Sequence, residues 1–251
     1  MTYCLGIKLK EGIVGIADTR ITSGTETTSG KKLFVHEDGE NTVFLMTSGL
    51  RSIRDKALTY FKEDLQSESF DKIYKVVNAF SNQVKKVAQE DKESLHAAGL
   101  HFNIYALVGG QMKGDTEPSM FLVYPEGNWI EVGSSSPFMI IGNSGYGKPI
   151  LNRSITVDST IPFALKTGLL SFDSTRVCAN DVGYPIDVFV YENNSFKIKT
   201  HRFEEKHMRH LSEQWAKILN EGISKMSEEF ADVFVQPKVK RKNSGVKKKR
   251  K

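Results

Sequence analysis

Thr2 stands directly behind the initiator methionine, in Met1-Thr2-Tyr3-Cys4. Removal of Met1 would leave one residue carrying both a hydroxyl nucleophile and a free α-amine. A hydroxyl is weak at its own pKa and needs a base, and an α-amine that titrates near pH ~8 supplies one. A threonine at position 2 is common in proteins, so the chemistry needs support from elsewhere in the chain. Three places offer it. Asp18 closes the apolar run Ile13–Ala17, where a charged residue needs a partner. Lys31-Lys32 opens another run, and an ammonium near Asp18 and the amine would stabilise negative charge and disfavour protonation of the amine. Ser48-Gly49 lies where a strand pattern gives way to a helical one, and a backbone N–H at such a turn can hold the oxyanion of a tetrahedral intermediate. A strand-end turn, two surface lysines and a plain helix cap would account for these features singly. Their combination carries the argument.

The elements that must position these residues follow from hydrophobic periodicity. Tyr3–Lys10 and Ile13–Ala17 pair around Glu11-Gly12, which brings Asp18 beside Thr2. A Gly-, Ser- and Thr-rich loop covers 18–30. Strands Lys31–Glu37 and Thr42–Thr47 turn at Asp38-Gly39, and Ser48-Gly49 breaks the second one. Ile53–Leu65 and Ile73–Val87 each gather apolar residues on one helical face. Phe102–Val108, Met120–Val123 and Trp129–Val132 read as antiparallel strands with turns at Gly109-Gly110 and Pro125-Glu126-Gly127, followed by strand Phe138–Ile141. Tyr146–Asn152 and Ile161–Phe172 read as helices, Ile186–Tyr191 and Ser195–His201 as a hairpin, and Phe203–Phe230 as a long helix interrupted at Gly222. Clustered strands followed by clustered helices indicate an α+β fold, met by two antiparallel sheets with helix pairs outside.

The chain of 251 residues is long enough to bury a core without staples, and its formal charge is +5. That charge is unevenly spread. Residues 236–251 hold nine Lys/Arg and no acid, which leaves the rest at −4. The expected organisation is one domain over 1–235 and a disordered basic tail over 236–251, able to bind anionic surfaces weakly. The body has neither zinc-finger spacing nor an RNP-like aromatic strand, so no specific nucleic-acid recognition is expected. Cys4 and Cys178 make no disulfide framework and are expected as buried free thiols. No signal peptide and no run of ~20 apolar residues is visible, which points to a cytoplasmic protein that does not cross a membrane.

Taken together, Thr2, Ile16-Ala17-Asp18-Thr19-Arg20 with Gly24 beyond it, Lys32 before an apolar run, and Phe44-Leu45-Met46-Thr47-Ser48-Gly49 resemble the proteasome β-subunit family of N-terminal nucleophile hydrolases. The opening Thr2–Leu9, Tyr146–Leu151 and Ser171–Thr175 are similar to its bacterial Anbu (ancestral β-subunit) branch, a relative of HslV. The resemblance covers about residues 2–230. It implies a four-layer αββα sandwich with an active site at the open end of the sheets. It also implies Thr2 as nucleophile and base, Asp18 as acidic partner, Lys32, adjoined by Lys31, as catalytic lysine, and Gly49 as oxyanion glycine. Ser144 in Gly142-Asn143-Ser144-Gly145 and Asp181 in Asn180-Asp181-Val182-Gly183 correspond to a further serine and aspartate of the family, while Tyr184 stands where a second serine is expected. Arg20, Ile21, Thr47 and Arg51 flank these motifs as substrate-binding residues, and Arg51 would favour an acidic or carboxylate-bearing substrate.

The implied function is a self-assembling threonine-type peptidase or amidohydrolase, acting on peptide or peptide-like amides as a ring or open spiral and without cofactor or metal. The alternative is a catalytically weak or inactive assembly subunit. Any ATP dependence would come from a partner. His201, His207 and His210 cluster without a Cys or carboxylate triplet, so they are expected at the surface rather than on a metal. Gly142–Lys148 fails as a phosphate loop because Pro149 follows the lysine.

Overall fold

The computed structural model describes residues 2–23 and 25–234. These fall into two compact units divided between Ser212 and Glu213. In the first unit, β1 (Tyr3–Lys8), β2 (Gly12–Asp18), β3 (Arg20–Ser23), β4 (Glu26–Ser29), β5 (Leu33–Asp38) and β6 (Asn41–Gly49) precede α1 (Arg51–Ser67) and α2 (Ile73–Ala97). Then come β7 (Ile104–Gln111), β8 (Ser119–Val123), β9 (Trp129–Glu131), β10 (Phe138–Gly142), α3 (Lys148–Ser154), α4 (Ile161–Cys178), β11 (Ile186–Glu192), β12 (Ile198–Phe203) and α5 (Glu205–Ser224).

One five-stranded sheet has the order β10-β1-β2-β11-β12 and the other β5-β6-β7-β8-β9; all their pairings are antiparallel. The period of two along each strand sorts side chains between layers. Tyr3, Leu5 and Ile7 face α4, against its Ala164 and Phe172. Cys4, Ile13 and Ala17 face the opposite sheet, against Phe44, Leu107 and Met120. Val43, Leu45 and Val108 face Phe61, Phe80 and Val84 of α1 and α2. Helix, sheet, sheet and helix thus form the expected α+β, four-layer αββα sandwich. Covered on both faces, β1 and β2 read as near-continuous apolar runs rather than clean alternations.

Several elements differ from the sequence reading. The loop expected at 18–30 contains the β3–β4 ribbon, paired from Arg20↔Ser29 to Ser23↔Glu26. Its threonines favour strand, and composition alone had suggested a loop. Gly109-Gly110 is no turn. Strand β7 passes through it, because a Cβ at Gly109 would lie 2.6 Å from both the Phe44 ring and the Ser119 carbonyl. The chain reverses after Gln111, where Asp115 Oδ2 accepts the N–H groups of Met112 and Ile73, both at 2.9 Å. Helix α2 continues ten residues past Val87 to Ala97. Helix α5 passes through Gly222 without interruption and ends at Ser224. Cys178 is exposed at the last turn of α4, whereas Cys4 is buried as expected.

The described part of the second unit holds the end of α5, with a Lys217–Glu221 ion pair at 3.8 Å one turn apart, and a short 3-10 segment, Glu229–Val233. The expected tail at 236–251 lies outside the described residues. Among those described, no helix is long and apolar enough to cross a membrane.

Candidate active site

Strand register places the start of β1. Cys4 pairs with Ala17 on β2, so Asp18 lies opposite Tyr3, and the Tyr3 N–H donates to Asp18 Oδ1 at 2.8 Å. On the other side Tyr3 pairs with Gly142 of β10, and the Asn143 N–H donates to the Thr2 carbonyl at 2.7 Å. Gly142 has φ +88 and its missing Cβ leaves room for the Thr2 backbone, whose carbonyl carbon would lie 2.6 Å from a Cβ there. Thr2 is held between two strands with 6% of its surface exposed.

Asp18 is fully buried and Lys32, just ahead of β5, is 6% exposed; Lys32 Nζ meets Asp18 Oδ1 at 2.6 Å. Lys31, its neighbour, is exposed. Burial is the largest influence on Asp18 and pushes its carboxyl above the usual carboxylate range. The Lys32 ammonium and the Tyr3 and Arg20 backbone N–H groups pull it back only in part. Among the described residues, no donor meets Asp18 Oδ2 in full hydrogen-bond geometry. A pair this deep is costly to desolvate and adds little net stability. Removing one partner would strand a buried charge at a cost of about 3–5 kcal/mol. Cys4 lies one strand position further in. Burial pushes its thiol well above the ordinary range and keeps it protonated.

The end of β6 forms the facing wall. The strand continues through Ser48 to Gly49, which pairs with Ile104, and α1 begins at Arg51. Gly49 has φ +125 and packs against Asn103, whose carbonyl carbon lies 2.8 Å from where a Cβ would sit. Only glycine accepts both constraints at this strand-to-helix turn. The Leu50 N–H donates to the Asn103 carbonyl at 2.9 Å and fixes the turn to the next strand.

A cleft of about 320 Å³ opens between these parts. It brings together Thr2, Lys32, Gly49, Arg20, Ile21, Thr47 and Arg51 from the sequence-derived set. Thr47 is among its lining residues, and its Oγ1 is buried, with no hydrogen-bond partner among the described residues. Arg54, His101 and Asn103 also line it and were not singled out from sequence. Arg54 carried a signal: it lies three residues after Arg51, hence on the same helical face. His101 and Asn103 carried none, because they reach the cleft only through the β6–β7 pairing.

Ser144 and Asp181 do not line this cleft. The Ser144 carbonyl accepts the Lys148 N–H at 3.2 Å, and the residue borders a separate small cavity with Phe138 and Lys148. Asp181 belongs to the α4–β11 connection. There Arg20 Nη1 donates to the Asn180 carbonyl at 2.7 Å and the guanidinium fills the space beside Gly183. The Tyr184 ring packs on Phe172 at 5.2 Å between centroids. His201, His207 and His210 are exposed, and among the described residues no cluster of His, Cys, Asp or Glu could hold a metal ion.

The layer order and this threonine-bearing cleft define a proteasome-type sandwich, and the sequence pattern of the family described as "Proteasome subunit" matches residues 2–184. The chain belongs to the proteasome-subunit family, in its Anbu (ancestral β-subunit) branch. Among similar solved structures, an Anbu (Gly-1) mutant from Hyphomicrobium sp. strain MC1 is 32% identical with a TM-score of 0.84, over 91% of this chain and 99% of that one. Anbu from Yersinia bercovieri is 26% identical with a TM-score of 0.82, over 90% and 98%. A helical assembly of the Anbu complex from Pseudomonas aeruginosa is 27% identical with a TM-score of 0.84, over 90% and 97%. No curated protein sequence matches the chain.

Proposed function

We propose that this protein is an N-terminal threonine hydrolase of peptide or peptide-like amide bonds. The observation that carries this reading is the buried Asp18–Lys32 pair set directly behind Thr2 at the wall of an open cleft. A purely structural role would not require two buried charges beside the one nucleophile that can supply its own base. With Met1 removed, the Thr2 α-amine takes the hydroxyl proton, through a water, as Oγ1 bonds to the substrate carbonyl carbon. The developing oxyanion is held by the Gly49 N–H. The C–N bond then breaks, the proton passes from the ammonium to the leaving amine, and water cleaves the acyl-enzyme by the same route. Asp18 and Lys32 set the field around the amine, and Lys32 in particular disfavours its protonation. Ser144 and Asp181 would act from the flanking connections rather than from the cleft wall.

The relative from Pseudomonas aeruginosa is described as a helical assembly. We read this chain as self-associating in the same manner, as a ring or open spiral, and as a cytoplasmic protein. The absence of Ser144 and Asp181 from the cleft favours one other reading, a subunit that assembles but turns over weakly. Intact-mass measurement after treatment with a peptide epoxyketone tests both. The hydrolase reading expects loss of Met1 and one covalent adduct, absent in Thr2→Ala, together with a thousandfold or greater loss of amide hydrolysis in that variant, as order of magnitude. Retained Met1, or hydrolysis unchanged in Thr2→Ala, would sink it.

A further inference from the structure

We infer that the cleft selects amide substrates carrying a carboxylate side chain next to the scissile carbonyl, on its acyl side. This rests on the hydrolase reading above. The argument is a charge count. Lys32 is answered by Asp18. Arg51 and Arg54 share a single carboxylate: Arg51 Nε meets Asp55 Oδ2 at 3.2 Å, while Arg54 Nε and Nη2 meet Oδ1 at 2.8 and 2.5 Å. The Arg20 guanidinium lies against the Asn180 carbonyl and beside Gly183, and stays out of the count. The two guanidinium groups that α1 places on the cleft wall are thus answered by one carboxylate, and no Asp or Glu is among the described residues that line the cleft.

Position strengthens the count. The Arg54 side chain is 15% exposed, and its Nη1 donates to the Lys31 carbonyl at 3.2 Å. It is a fixed cation in a partly dry wall, where a charge acts more strongly than in open water. Arg51, at 64% exposure, stands at the rim and is free to swing onto an entering group. A planar guanidinium suits a carboxylate through two parallel N–H bonds. A lysine or arginine side chain entering the cleft would meet like charge. A plain aliphatic one would gain nothing from the guanidinium groups.

The test is a set of N-acetyl tripeptide aminocoumarins that differ only in the residue before the amide: Glu, its neutral isostere Gln, Leu and Lys. For the mature protein we expect kcat/KM for Glu to exceed that for Gln by about tenfold or more, with Lys lowest. Arg51→Glu, a rim change that leaves the core packing alone, should bring Lys level with or above Glu. Arg54→Gln should lower the Glu:Gln ratio while the epoxyketone adduct still forms. Equal rates for Glu and Gln, with Thr2-dependent hydrolysis intact, would overturn this inference and leave the hydrolase reading standing. If no substrate is cleaved and no adduct forms, the hydrolase reading fails by itself. Selectivity is then read from binding of fluorescein-labelled Glu and Gln peptide amides to Thr2→Ala by anisotropy. About tenfold tighter Glu binding supports the acidic cleft, and equal binding overturns it.

Discussion

The two ends of the sandwich bury polar groups in different ways. At the far end, Gln111 is fully buried between the sheets. Its Oε1 accepts the Tyr191 hydroxyl at 2.7 Å and the Asn194 N–H at 3.0 Å, and its Nε2 donates to Asn194 Oδ1 at 2.7 Å. Both kinds of capacity on the side chain are used, no charge is involved, and the network ties one sheet to the other. At the Thr2 end an ion pair is buried instead, no donor among the described residues meets Asp18 Oδ2 in full hydrogen-bond geometry, and the sheets open into a cleft rimmed by guanidinium groups. Unpartnered hydroxyls occur at both ends, in Thr47 and Thr42, so an orphan atom alone does not mark the site. What separates the ends is net charge and access. A neutral, satisfied network rigidifies, whereas buried charge beside open volume is held for chemistry.

The largest effect should come from breaking the ion pair. Asp18→Ala leaves Lys32 buried without a partner and should cost about 3–5 kcal/mol in urea unfolding, with hydrolysis lost. The double variant Asp18→Leu/Lys32→Met should regain most of that stability and none of the hydrolysis. A double variant that recovers both would reduce the pair to a structural feature and erase the contrast between the ends.

Gln111→Ala tests the opposite end. It strands the Tyr191 hydroxyl and should cost about 1–3 kcal/mol, while hydrolysis per folded molecule stays at the wild-type level. A large loss of turnover without a loss of stability would show that the far end reaches the chemistry.

The smallest effect is a pH dependence. The folded-state pKa of Asp18 is raised, so the folded protein binds this proton more tightly than the unfolded chain does. The associated stability is therefore complete below the ordinary carboxylate pKa and declines as pH rises through the folded value. The stability of wild type relative to Asp18→Asn should fall between pH 4 and pH 8, followed by chemical unfolding at fixed salt. A difference that grows with pH would mean that Lys32 outweighs burial.

Much of this is legible in the amino-acid sequence. The apolar runs at Tyr3–Lys8 and Gly12–Asp18 set the hairpin that carries Asp18 to the first strand, and the periodicity at Ile53 and Ile73 set the two helices over one sheet. Errors collected where local composition competes with tertiary contact. Gly109-Gly110 carries a turn signature, yet β7 runs on through it to Gln111, beneath the crossing Phe44 ring. The 18–30 segment is polar and small, yet it pairs with itself as a ribbon. The apolar-leaning surroundings of Cys178 did not reveal that its turn of α4 faces solvent.

The sequence by itself determined which chemical groups are present and which sit on neighbouring strands: Thr2 with Asp18, Lys32 ahead of β5, Gly49 at the turn into α1. These relations are local, fixed by strand period and hairpin pairing. The tertiary structure buries Lys32, the lysine named from sequence, against Asp18 and leaves Lys31 exposed. It also decided that Ser144 and Asp181 stay out of the cleft, and that Arg54, His101 and Asn103 enter it. Those outcomes depend on which face each segment turns toward once two sheets stack, and burial of the whole core sets that choice rather than the residues next in line.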